Sequence, residues 1–231
     1  MRTPPLVKIC GVTRAEDARL AADLGAAFLG LNFYPPSPRS LTPQRAAAVA
    51  DAVRGRVRLV GVFVDRPPAE VAAIDRAVGL DVLQFHGEEG PVELARHGPR
   101  AWKVVRVPPG ASPPRSAIER ELAAYPGVGG FLLDVRHDTL PGGTGETWAW
   151  HALAGLETSG RPLLVAGGIR PGNVRRALAA SGAAGVDACS GVESAPGVKD
   201  PVLLERLMTE VFAGAAISEE AEMPGGRRED G

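Results

Sequence analysis

Eight short apolar runs recur along the chain, each followed by a stretch whose apolar positions have helical spacing. The runs fall at residues 6–10, 28–33, 57–64, 82–85, 102–107, 131–135, 163–166 and 186–189. Several are continuously apolar rather than alternating, as expected of strands buried on both faces in a helix-covered parallel sheet. The helical stretches lie at 13–24, from Thr42 onward, and at 68–78, 88–97, 116–124, 148–156, 171–180 and 201–212. Thr13 with Glu16 three residues later reads as a capping box. Thr42 followed by Pro43 reads as an N-cap with proline at the first helical position. In the last stretch Leu204, Leu207, Met208 and Val211 share one helical face.

Eight strand–helix units in this length predict an α/β fold, a single-domain (β/α)8 TIM barrel over residues 1–213. A doubly wound open sheet is the alternative. Residues 214–231 are polar, Gly-rich and aperiodic, and read as a disordered tail. The 231 residues suffice for a substantial core, and a formal net charge of -1 gives no reason to expect a nucleic-acid or anionic-membrane partner. No apolar stretch approaches the roughly 20 residues of a membrane span. The N-terminus enters a strand-like run too soon for a signal peptide, so a cytoplasmic location is expected. Cys10 and Cys189, the two cysteines, lack metal-ligand spacing and fit a reducing compartment.

In a parallel barrel the chemistry sits at the C-terminal ends of the strands. Cys10 ends the first run and Asp134 falls at the end of the sixth, so both open at that edge. A free cysteine is often just a small buried hydrophobe, but as a thiolate Cys10 could act as base or nucleophile. Strand alternation puts Lys8 on the same face as Cys10, where an ammonium would lower the thiol pKa. Asp134 is either a loop cap or an acid whose pKa burial would raise. Arg39, in the loop after the second run, is either an exposed arginine or a clamp for a substrate carboxylate. His86 closes the fourth run and is expected to line the site. Asp187 on the eighth run is a lining residue or a structural one. Gly167 and Gly168 after the seventh run, with Ser190 and Gly191 after the eighth, occupy the recurring phosphate position of such barrels. Gly143 and Gly145, after the sixth run, belong to a flexible connector or to a loop that closes beside Asp134.

The ordered set of motifs resembles phosphoribosylanthranilate isomerase of tryptophan biosynthesis. It begins with Lys8-Ile9-Cys10-Gly11-Val12-Thr13 and continues through Asn32-Phe33-Tyr34, Ser37-Pro38-Arg39-Ser40, Val60-Gly61-Val62-Phe63 and Gln84-Phe85-His86-Gly87. Leu132-Leu133-Asp134, Gly143-Thr144-Gly145, Ala166-Gly167-Gly168-Ile169 and Ser190-Gly191-Val192-Glu193 complete it, so the likeness spans residues 6–212. The resemblance implies a (β/α)8 barrel catalysing an Amadori rearrangement of phosphoribosylanthranilate without metal or organic cofactor. It implies Asp134 as general acid, Cys10 as general base and Arg39 as holder of the anthranilate carboxylate. Phosphate would fall to Gly167, Gly168, Ser190 and Gly191. A small-molecule substrate is then the expected partner, with monomer and homodimer both open.

Two departures stand out. Trp148-Ala149-Trp150 replaces the family's usual Phe-Asp-Trp, and Cys189 stands where serine or asparagine is common. Three rival readings remain. A histidine-pathway isomerase on the same barrel resembles a two-aspartate enzyme, which Cys10 argues against. A Schiff-base aldolase would use Lys103, and a non-catalytic barrel would bind a sugar phosphate without turnover.

Overall fold

The computed structural model describes residues 3–107, 114–135 and 150–220. Eight parallel strands close into a barrel in chain order, with β8 returning to β1. They are β1 (Leu6–Ile9), β2 (Phe28–Asn32), β3 (Arg58–Phe63), β4 (Val82–Phe85), β5 (Ala101–Val107), β6 (Gly130–Val135), β7 (Leu163–Ala166) and β8 (Gly185–Ala188). The open sheet is thereby excluded. The helices are α1 (Ala15–Asp23), α2 (Pro43–Asp51), α3 (Pro68–Val78), α4 (Pro91–Ala95), α5 (Arg115–Ala123), α6 (Val174–Ser181) and α7 (Pro201–Glu220). A short antiparallel hairpin, β9 (Glu193–Ala195) with β10 (Val198–Lys199), follows β8 and has no counterpart among the eight apolar runs.

Strand alternation sorts the apolar residues into two cores. Phe28, Val60, Val82, Trp102, Val104, Leu132, Leu164 and Ala166 fill the barrel interior. The opposite faces, among them Val7, Ile9, Leu29, Leu31, Leu83, Phe131 and Val165, pack under the helices. Because the interior is filled below by Phe28 and Trp102, whose ring centroids are 5.1 Å apart, only the upper mouth can admit a ligand.

Several local expectations change. Thr13 is not an N-cap: α1 starts after Arg14, and the Thr13 hydroxyl donates instead to the Gly197 carbonyl at 2.6 Å. Thr42 does cap α2, accepting from the Arg45 N–H. Between β6 and β7 the described residues hold only a single 3-10 turn, Trp150–Leu153, in place of the expected helix at 148–156. Helix α7 runs on to Glu220, so the start of the segment expected to be a structureless tail is helical. No described helix is long and apolar enough to cross a membrane.

Candidate active site

The C-terminal mouth of the barrel gathers most of the chemistry-bearing residues. β1 and β8 pair in register Lys8↔Asp187 and Ile9↔Ala188, and the Cys10 N–H donates to the Ala188 carbonyl at 2.8 Å. This seam therefore carries Lys8 and Asp187 side by side, with Cys10 and Cys189 one step above. Lys8 Nζ donates to Asp187 Oδ2 at 2.9 Å, and both side chains are buried. Asp187 is thus the partner of a buried cation as well as a lining residue.

Gly30 on β2 is the floor beneath the base candidate. A Cβ there would lie 2.8 Å from Cys10 Sγ and 3.1 Å from Lys8 Nζ, so the thiol and the ammonium converge over this one residue. The Cys10 thiol is held well below its ordinary range, first by a hydrogen bond from the Cys189 thiol and then by the charges of Lys8 and Lys199, which together outweigh burial. Cys189 is driven the other way by the same hydrogen bond and by its own burial, so it keeps its proton. Burial opposes the Lys8 ammonium, but Asp187 and Cys10 more than compensate and its pKa rises. Burial pushes Asp187 up to about 7 against the pull of Lys8.

One consequence is directly measurable. Iodoacetamide is expected to alkylate Cys10 with a pH midpoint well below the roughly 8.5 of an ordinary thiol, while Cys189 stays unmodified. Peptide mass mapping across a pH series reads both sites; equal labelling of the two thiols contradicts the assignment.

Across the mouth, Asp134 Oδ2 lies 3.1 Å from His86 Nε2, both side chains partly exposed. The β5 residue Arg106 donates to the His86 carbonyl and so fixes the turn that presents the ring. On β7 and β8 the loops meet at backbone level. Gly167 and Gly168 adopt positive φ (89° and 68°), and Asn173 Nδ2 donates to the Gly168 carbonyl at 2.8 Å. A Cβ on Gly191 would stand 2.0 Å from the Ile169 carbonyl oxygen, so only glycine lets the Ser190–Val192 turn approach the β7 loop. The Gly143 and Gly145 expectation lies outside the described residues.

Arg39 sits where expected but already has a partner. Its stem crosses Gly11, where a Cβ would meet Cδ at 2.5 Å, and its Nε and Nη2 fork onto Glu193 at 2.9 and 2.5 Å. Lys199 Nζ completes the cluster, donating to Glu193 Oε1 at 2.8 Å and to the carbonyls of Cys10 and Cys189 at 2.6 and 3.2 Å. Sequence reasoning assigned no role to Glu193 or Lys199. Lys103, the aldolase candidate, is turned outward: its Nζ donates to the Gly87 and Glu89 carbonyls in the buried layer beside Tyr125. That placement removes it from the barrel mouth and the Schiff-base reading with it.

A filled (β/α)8 barrel with a thiol, a carboxyl and two touching glycine loops gathered at its C-terminal mouth has the make-up of a TIM-barrel enzyme. Residues 7–210 match the N-(5'-phosphoribosyl)anthranilate isomerase family. The enzyme of that name from Myxococcus xanthus is 44% identical over 197 residues, covering 84% of this chain and 90% of its own. The phosphoribosylanthranilate isomerase of Thermotoga maritima superposes with a TM-score of 0.78 at 33% identity, covering 90% and 99%. A structure of the enzyme with reduced 1-(o-carboxyphenylamino)-1-deoxyribulose 5-phosphate superposes with a TM-score of 0.76 at 32% identity over the same shares. The chain belongs to the phosphoribosylanthranilate isomerase family, and its activity is the isomerisation step of tryptophan biosynthesis.

Proposed function

We propose that Cys10 and Asp134 are the base and acid of the Amadori rearrangement of N-(5'-phosphoribosyl)anthranilate to 1-(2-carboxyphenylamino)-1-deoxyribulose 5-phosphate. The observation that carries this reading is the seam between β1 and β8. There a hydrogen-bonded, Lys8-flanked thiolate follows the C-terminal end of β1, and Asp134, at the same end of β6, is near enough to act electrostatically on Asp187 in that seam. Asp134 donates a proton to the furanose ring oxygen, and the ring opens to a protonated Schiff base. The Cys10 thiolate removes the proton from C2. The resulting enolamine tautomerises to the ketone product, with no electrons leaving the substrate.

Arg39 is suited to the anthranilate carboxylate, because a guanidinium matches a carboxylate in plane and in charge. Gly167, Gly168, Ser190 and Gly191 are suited to the phosphate, since glycine backbones let N–H groups reach an anion. The reduced product analogue bound by the relative is the natural probe. Saturating analogue is expected to shield Cys10 from iodoacetamide; unchanged labelling at saturation argues that the ligand sits elsewhere. Gly191→Ala is expected to raise KM about tenfold with a smaller effect on kcat, because the methyl group must push the two phosphate loops apart. Isothermal titration with the analogue checks it, and unaltered affinity removes these loops from phosphate binding. A reducing, cytoplasmic compartment suits the two free thiols. A homodimer is the assembly supported by the dimeric Thermotoga maritima relative.

A further inference from the structure

We propose that Glu193, locked by Lys199, is a positioning residue that aims Arg39 at the substrate carboxylate; this rests on the reading of Arg39 given above. A guanidinium offers two bidentate edges, one through Nε and Nη2 and one through Nη1 and Nη2. Glu193 fills the first edge, its Oε1 and Oε2 lying 2.9 and 3.1 Å from Nε and its Oε2 lying 2.5 Å from Nη2. The Glu193 side chain is 4% exposed, while that of Arg39 is 20% exposed. The buried carboxylate therefore lies behind the arginine, and the second edge is the one left for a ligand.

What fixes Glu193 is equally well defined. Lys199 is fully buried and spends its donors on Glu193 Oε1 and on the carbonyls of Cys10 and Cys189. The Gly197 N–H also donates to Glu193 Oε1, at 3.2 Å. Burial alone would raise the Glu193 pKa, but hydrogen bonds from Arg39 and Lys199 outweigh it and keep the group ionised. The β9–β10 hairpin is held in turn by α1 and the loop before it: the Lys199 N–H donates to buried Asp17 at 3.1 Å, and the Thr13 hydroxyl donates to the Gly197 carbonyl. One lysine thus sets the distance between the arginine and the backbone that carries Cys10. A carboxylate gripped by Arg39 is thereby placed relative to the thiolate through two charge-assisted links rather than through a mobile loop.

The test compares phosphoribosylanthranilate with phosphoribosylaniline, which lacks the carboxylate, for wild type, Glu193→Gln, Glu193→Asp, Arg39→Ala and the Arg39→Ala/Glu193→Gln double variant. Glu193→Gln is expected to raise KM for the anthranilate substrate about tenfold with kcat changed about twofold at most. With the aniline substrate, kcat/KM is expected to match wild type. Glu193→Asp keeps the charge and is expected to fall between the two, and Glu193→Gln adds no loss on the Arg39→Ala background. Equal losses on both substrates reduce Glu193 to a structural brace and overturn the proposal. A lowered KM overturns it too, since Glu193 would then be competing with the substrate for the arginine. If Arg39→Ala itself loses equally on both substrates, it is the Arg39 reading that fails. Far-ultraviolet circular dichroism of each variant separates these outcomes from misfolding.

Discussion

Asp134→Asn and Cys10→Ala are each expected to lower kcat by roughly 10²–10⁴-fold, the range that a positioned acid or base supplies. The losses have different origins. Asparagine preserves the size of the carboxyl and its place 3.1 Å from His86, but has no proton acidic enough for the ring oxygen. Alanine removes the only sulfur held as a thiolate and leaves Lys8 facing Asp187 alone. Because acid and base serve successive steps, the double variant is expected to lose far less than the product of the two single losses. Loss of phosphoribosylanthranilate fluorescence under saturating substrate measures all three. In wild type, the acid limb of kcat/KM is expected to follow protonation of Cys10 and so to lie below the ordinary thiol range. Retention of more than a tenth of the activity by Cys10→Ala would falsify its role as base.

The second large effect is on stability. Asp187→Ala leaves the Lys8 ammonium wholly buried, and at pH 8 it is expected to cost about 3 kcal/mol in urea denaturation. That pH lies above the about 7 to which burial pushes Asp187, so the charged form of the wild-type pair predominates in the comparison. Replacing both partners, as Lys8→Met with Asp187→Leu, is expected to recover most of the loss because no unpaired charge then remains. A single variant as stable as wild type would show that Lys8 finds sufficient compensation in the Cys10 thiolate.

The barrel was readable because each strand is a short apolar run, and the ends of those runs named Cys10, His86 and Asp134 directly. Gly167-Gly168 after β7 and Gly191 after β8 marked loops that do touch. Pairings across the seam left no local trace: Lys8 and Asp187 are 179 positions apart, and neither sequence context demands the other. The hairpin was invisible for a different reason. β9 has three residues and β10 two, too short for any periodicity to register. A compositional signal was nonetheless present. The chain has three lysines, Lys8, Lys103 and Lys199, and all are buried, each facing a carboxylate: Asp187, Glu89 and Glu193. Arginine supplies the surface cations, so lysine in this chain marks an interior post. The Thr13 capping box failed because its hydroxyl found a stronger demand in the hairpin than in the helix it precedes.

The seam also orders events in time. Asp134, His86 and Arg39 all precede β7 and β8 in the chain, yet the thiolate that works with them acquires its surroundings only when β8 docks on β1 and Lys199 arrives. Every contact that ionises Cys10, other than that of Lys8, is made by residues 187–199. A nascent chain stopped after β6 would carry the acid, the arginine and an ordinary cysteine. Joining the first and last strands of the barrel is therefore the same event as switching on its basic sulfur, and the long-range pairing that makes such barrels slow to close also sets when chemistry becomes available.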